Sequence, residues 1–231
     1  MTDKYVIARL EKKGHRFEIL VDPEVALKIR EGKSASVDEA LVGDFVYKDA
    51  RKGLKASPES LREAFGTEDV RTIAVEIIKN GELQLTAEQR RRFQEERRRQ
   101  LINLIARNAI DPKTKLPIPT TRIELALEQA RFSVDPFKPA EAQLEEAVSR
   151  IAKVIPIKLA KALISVRIPP EYAPRAYKAL SGYGQIKKSE WQRDGSLYLE
   201  IEVPAGLQQE FIDRVNSLTK GSSTVKILSV G

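Results

Sequence analysis

Two arginine triplets, Arg90-Arg91-Arg92 and Arg97-Arg98-Arg99, stand seven residues apart in the stretch 86–109. On a helix, residues seven apart share a face to within about 20°. Arg90/Arg97, Arg91/Arg98 and Arg92/Arg99 therefore form three co-facial pairs. Such groups bind rather than react: a guanidinium stays charged and forks onto phosphate or carboxylate. Bond-making chemistry asks for other residues, and here they are missing. The chain has no cysteine and one histidine, His15, which excludes disulfides, thiolate metal sites, a His-based zinc centre and a Ser–His–Asp triad. Glu95 and Glu96 are adjacent, so they diverge on a helix and form no acid/base pair. We expect no catalytic residue, no cofactor and no metal. The plainer reading of the arginines is a solvated surface paired through Glu88, Glu95 and Glu96.

The charge distribution favours a polyanionic partner. The 231 residues carry a net charge of +7, distributed unevenly. Residues 1–86 hold 15 Lys/Arg against 16 Asp/Glu, residues 87–160 hold 15 against 10, and residues 161–231 hold 10 against 7. A basic excess concentrated in one region points to RNA. With 42% hydrophobic residues, the chain can bury real cores. The start MTDKYVIARL has no signal-peptide core, and no apolar run is long enough to span a bilayer. A soluble, cytoplasmic protein with no membrane contact is expected, and we expect a monomer.

Three domains must position these residues: 1–86, 87–159 and 160–231. In the first, alternation over 4–22 predicts a hairpin turning at Lys12-Lys13-Gly14-His15, with His15 on the surface. Asp22-Pro23 predicts a helix N-terminus, with Gly32 as its stop. Gly32-Lys33-Ser34 is not a phosphate loop: the upstream glycine is missing, and a helix precedes it where a strand is required. A short helix is expected over 36–43, a strand over 45–47 and a basic turn over 48–55. Helices are predicted from Ser57 to Phe65 and from Asp69 to Lys79, and a strand over 82–85.

The second domain reads as a three-helix bundle. Thr86 with Gln89 predicts a capping box opening the arginine helix. Its first half lacks a full apolar stripe, so that half is expected to face solvent. The loop 111–119 holds three prolines, which stiffen it for recognition or docking. Thr121 with Glu124 predicts a second capping box, and Leu144, Ala147, Val148, Ile151 and Ile155 mark a third helix closed by Pro156. The third domain reads strand 159–168, helix 172–180, strands 185–192 and 196–203, helix 207–218 and strand 224–230. That order is the ferredoxin-like βαββαβ motif. Gly182-Tyr183-Gly184 is no dinucleotide fingerprint, since a helix precedes it. The fold class is thus α+β multidomain: an N-terminal mixed α/β domain, a central three-helix bundle and a C-terminal ferredoxin-like domain.

The segments Gly14-His15-Arg16-Phe17-Glu18-Ile19, Ala64-Phe65-Gly66-Thr67-Glu68-Asp69, Asn80-Gly81-Glu82-Leu83-Gln84-Leu85 and Asp111-Pro112-Lys113-Thr114-Lys115-Leu116-Pro117 resemble the Shwachman–Bodian–Diamond syndrome protein (SBDS) family of ribosome maturation factors. The end at Gly231, soon after the last expected strand, is the pattern of archaeal members. The resemblance implies a non-enzymatic role. It implies binding to ribosomal RNA and ribosomal proteins of the large subunit, and work with an elongation-factor-like GTPase that releases an anti-association initiation factor. It carries Arg9, Arg16, Lys52 and Lys55 over as RNA contacts. The charge pattern adds Arg91, Arg92, Arg98 and Arg99 as a second, sequence-independent phosphate surface. The alternative is an RNA-binding adaptor of an exonuclease complex.

Overall fold

The computed structural model describes residues 5–231. They divide into two compact units: the chain up to Glu95 together with Asp135–Pro139, and Glu96–Val134 together with Ala140–Gly231.

The first unit is built on a hairpin. Strands β1 (Val6–Lys12) and β2 (His15–Val21) pair antiparallel, with Lys12 opposite His15 and Arg9 opposite Glu18. The two residues between them, Lys13 and Gly14, both have positive φ. That is the requirement of a two-residue turn whose twist matches the strands, and it fixes the register. One face of the pair, with Val6, Ala8, Phe17, Ile19 and Val21, is buried. It packs with α1 (Pro23–Arg30) and α4 (Val70–Asn80), through Ala26, Leu27, Ile73, Ala74, Ile77 and Ile78. Asp22 caps α1 with its carboxylate, Ser57 caps α3 (Pro58–Phe65) and Asp69 caps α4. A short α2 (Val37–Ala40) separates α1 from the strands that follow. The sheet runs β4-β3-β2-β1-β5, with β3 at Tyr47–Asp49, β4 at Leu54–Lys55 and β5 at Glu82–Leu83. The strand expected at 45–47 thus lies two residues later. Val46 is buried in the core and Ala56 donates to its carbonyl, so ladder pairing begins only at Tyr47.

Thr86 and Gln89 form the expected reciprocal cap of α5 (Ala87–Asn108). The expectation that the first half of this helix faces solvent fails at two positions. Phe93 is buried in the first unit's core, and Arg97 is buried and donates to Gln100. A single aromatic side chain can anchor a helix without a full stripe, because it buries about 150–250 Å².

In the second unit the later turns of α5 pack Leu101, Ile102 and Ile105 with α6 (Thr120–Gln129) and α7 (Ala140–Ile151). The Thr121 capping box does not form. Helix α6 starts two residues earlier than that cap requires, with Pro119 at the cap and its carbonyl accepting from Arg122 and Ile123. Helix α7 stops at Ile151 and turns carry the chain to Ile155, ahead of Pro156. The proline loop is held: Asp111 accepts from the amides of Lys113 and Thr114, and Gln208 donates to Lys115 O at 2.9 Å. Short strands β6 (Ala109–Ile110) and β7 (Lys158–Leu159) pair. The rest is β8 (Lys161–Ile168), α8 (Ala173–Leu180), β9 (Gln185–Trp191), β10 (Leu197–Pro204), α9 (Gln208–Thr219) and β11 (Thr224–Val230). Its sheet order, β11-β8-β10-β9, all antiparallel, is the ferredoxin-like arrangement. Among the described residues no helix is long and apolar enough to cross a membrane.

Candidate nucleic-acid interface

Side chains alternate across a strand. With Phe17, Ile19 and Val21 turned into the core, Arg16 and Glu18 lie on the opposite face of β2. Register then fixes a row across the sheet. Lys55 on β4 is opposite Tyr47 on β3, Tyr47 opposite Glu18, Glu18 opposite Arg9, and Arg9 opposite Glu82 on β5. Directly paired residues share a face, so the row lies on the side away from the helices.

Glu18 organises that face. Although it lies outside the apolar core, it is only 1% exposed. Its Oε1 accepts from Arg9 Nε at 2.9 Å and from Arg16 Nε at 2.7 Å, and Arg16 Nη2 also reaches it. Its Oε2 accepts the main-chain N–H of Ala50 at 2.8 Å. Burial pushes the carboxyl pKa up. The Ala50 N–H, then Arg16, then Arg9 push it down further, and the net result lies below the ordinary value. The group is a carboxylate held in place by donors from three residues.

Ala50 begins the turn that carries Lys52. Asp49 Oδ1 accepts the Lys52 amide at 3.1 Å, and Gly53 donates back to Ala50 O. The Lys52 side chain is 74% exposed, with its ammonium 3.9 Å from Asp49. Lys55 lies on the exposed side of β4, its Nζ 3.2 Å from the ring centroid of Phe45. Four of the residues expected to contact RNA, Arg9, Arg16, Lys52 and Lys55, are therefore linked through Glu18 and the 50–55 turn. Sequence reasoning missed Glu18 itself, together with Phe45 and Tyr47. A signal for Glu18 was present: a two-residue turn at Lys13-Gly14 puts Arg9 opposite Glu18.

The other four residues lie on α5 and are not gathered in this way. Arg91 is exposed and 3.5 Å from Glu95, one turn on. Arg92 pairs with Glu24 of α1 at 2.9 Å. Arg98 pairs with Glu128 of α6 at 3.2 Å and approaches Glu124 O. Arg99 is exposed. Two of the four thus already have carboxylate partners from other helices.

Comparison with known proteins agrees with this architecture along the whole chain. The model of the Shwachman-Bodian-Diamond syndrome (SBDS) N-terminal domain matches residues 4–91, that of SBDS protein domain II residues 99–160, and that of the SBDS C-terminal domain residues 162–230. The chain belongs to the SBDS family. A relative in Aeropyrum pernix, "Ribosome maturation protein SDO1 homolog", is 51% identical over 98% of this chain and 97% of its own. A protein of the same name in Methanothermobacter thermautotrophicus is 45% identical over 96% and 97%. "Ribosome maturation protein SBDS" of Caenorhabditis elegans is 30% identical over 97% and 88%. The SBDS fold class read from the sequence holds: an α/β N-terminal part, a helical middle and a ferredoxin-like end.

Proposed function

We propose that this SBDS-family chain is a ribosome maturation factor that grips ribosomal RNA of the large subunit and performs no bond chemistry itself. One observation carries the RNA-binding part of this reading: a single buried carboxylate, Glu18, sets two arginines and a lysine-bearing turn on one exposed sheet face. Holding cations in place lowers the entropy lost when they meet phosphate. An arrangement built only for stability gains little from directing Lys52 and Lys55 into solvent.

The names of the relatives support the ribosomal assignment. Family resemblance extends the proposal to an elongation-factor-like GTPase that acts with the bound protein to release an anti-association initiation factor. Co-sedimentation with purified large subunits tests the core of the proposal. Binding is expected at low ionic strength, with affinity falling linearly on a log–log salt plot. The double variant Lys52→Ala/Lys55→Ala is expected to weaken binding and flatten the slope. A variant that binds as the parent does, with the same slope, overturns the reading.

A further inference from the structure

Beside the phosphate-binding cations lies a feature that phosphate binding does not need. Phe45 is 46% exposed and Leu54 is 53% exposed. Tyr47 meets Phe45 edge-on, with centroids 6.4 Å apart and planes at 71°. The Lys55 ammonium lies over the Phe45 ring. Single exposed apolar residues are ordinary on any surface. Two aromatic rings two residues apart, with a lysine seated on one of them, are a more specific arrangement. The segment 48–55 around them contains Lys48, Arg51, Lys52 and Lys55 against one acid, Asp49. The Asp49 carboxylate is already engaged by the Lys52 amide.

We propose that Phe45, edged by Tyr47, is a stacking platform for an unpaired RNA base, whose flanking phosphates are taken by Lys52 and Lys55. This deepens the RNA-binding reading above and rests on it. Every base has a π-face, and an aromatic ring on a basic sheet surface accepts one regardless of sequence. A paired base inside an A-form duplex offers no such face, so the platform selects single-stranded or looped RNA. The Lys55 ammonium already on the ring has only to swing its charge toward a phosphate as the base arrives. A protein partner is the competing occupant, but an apolar protein surface gains little from four neighbouring cations, whereas a nucleotide uses both the ring and the charges.

The test uses the full chain, a labelled single-stranded oligouridine and a duplex RNA of equal length. Phe45→Leu retains an apolar side chain and removes the ring. It is expected to lower affinity for the single strand about tenfold, the weight of one base stack, and to lower duplex affinity much less. Lys52→Ala is expected to lower both together. A second measurement places Trp at the platform, as Phe45→Trp in a chain also carrying Trp191→Phe. Oligouridine is expected to quench its fluorescence and duplex RNA to leave it unchanged. If Phe45→Leu lowers both affinities equally or neither, while Lys52→Ala still weakens both, the stacking platform is overturned and the phosphate surface stands. If neither variant alters RNA binding, the RNA reading itself falls.

Discussion

The main-chain N–H of Ala50 donates to Oε2 of Glu18 across 2.8 Å, joining the basic turn to the middle of the first sheet. The other oxygen of the same carboxylate holds Arg9 and Arg16. In the proposed RNA-binding reading Glu18 is a positioning residue: it need not touch RNA to control how the four cations around it are presented.

Glu18→Gln separates positioning from bulk charge. The change raises the net charge by one, so a protein that bound RNA through its overall field would bind more tightly. Loss of the clamp predicts the opposite, weaker binding at fixed salt, because the arginines and the 50–55 turn lose their common anchor. Glu18→Ala goes further and leaves the Ala50 N–H with no acceptor, at a cost of about 2 kcal/mol in folding stability. Part of the arginine charge is rehydrated, since Arg16 is half-exposed. Urea denaturation and RNA titration on the same preparations read both effects. A tighter-binding Glu18→Gln would remove the positioning role.

The pH dependence follows from the same group. Its pKa in the fold lies below the ordinary value near 4.5. A depressed carboxylate pKa contributes stability above the unfolded value, and that stability is lost as pH falls through the folded one. The stability gap between the parent and Glu18→Gln should therefore be constant from neutral pH down to about 5. It should shrink once pH drops below the ordinary glutamate range. Urea midpoints of both proteins across this range check it, and a gap that widens on acidification would contradict the clamp.

The helix caps and the ferredoxin-like order were legible in the sequence because they are local. Asp22-Pro23, Ser57 and Thr86 with Gln89 each act within three residues of themselves, and alternation with turn residues orders the last six elements. What was not legible depends on distant partners. Glu18 reads as an outward, solvated position until Arg9 and Ala50, 9 and 32 residues away, enclose it. Arg97 sits in a run of arginines that looks wholly solvent-facing, yet packing around α5 buries it. Thr121 has the right spacing for a cap but lies inside the first turn of α6, which begins at Thr120. The α5 arginines read alike in sequence, and only the fold shows that Arg92 and Arg98 have found carboxylates on other helices.

That difference predicts unequal salt dependence. An arginine free to meet phosphate releases about 0.7–0.9 of a counterion equivalent, and its removal reduces the log–log salt slope by that amount. Arg99→Ala should do so if α5 touches ribosomal RNA, and Arg91→Ala nearly so, because its carboxylate neighbour, Glu95, is a long 3.5 Å contact on the same helix. Arg92→Ala and Arg98→Ala should change the slope less, because each must first leave Glu24 or Glu128 and so exchanges one anion for another. Their own effect should appear as a stability loss of about 0.5 kcal/mol, the scale of an exposed ion pair. Large-subunit binding measured over a salt series, beside thermal unfolding, checks the contrast. An unchanged slope in all four would confine RNA contact to the first unit's sheet.

Gly81 ties the strand that carries Arg9 to the end of α4. A Cβ there would run into the main-chain carbonyl oxygens of Arg9 and Ile77, and neither can swing away as a side chain could. Its own carbonyl accepts from Arg30, whose Nε also donates to Ile78 O at 2.9 Å. Gly81→Ala must therefore push β5 off β1, where Arg9 pairs with Glu82 and Gln84 N donates to Ile7 O. The expected cost is about 3 kcal/mol, at the upper end for overpacking because backbone has to move. Hydrogen exchange should show the Gln84 amide losing protection first, while amides of the β9–β10 pair keep theirs. RNA affinity should fall in parallel, since Arg9 shifts with its strand. An alanine variant as stable as the parent would mean that the carbonyls move aside at little cost, and that the edge of this sheet is looser than its geometry implies.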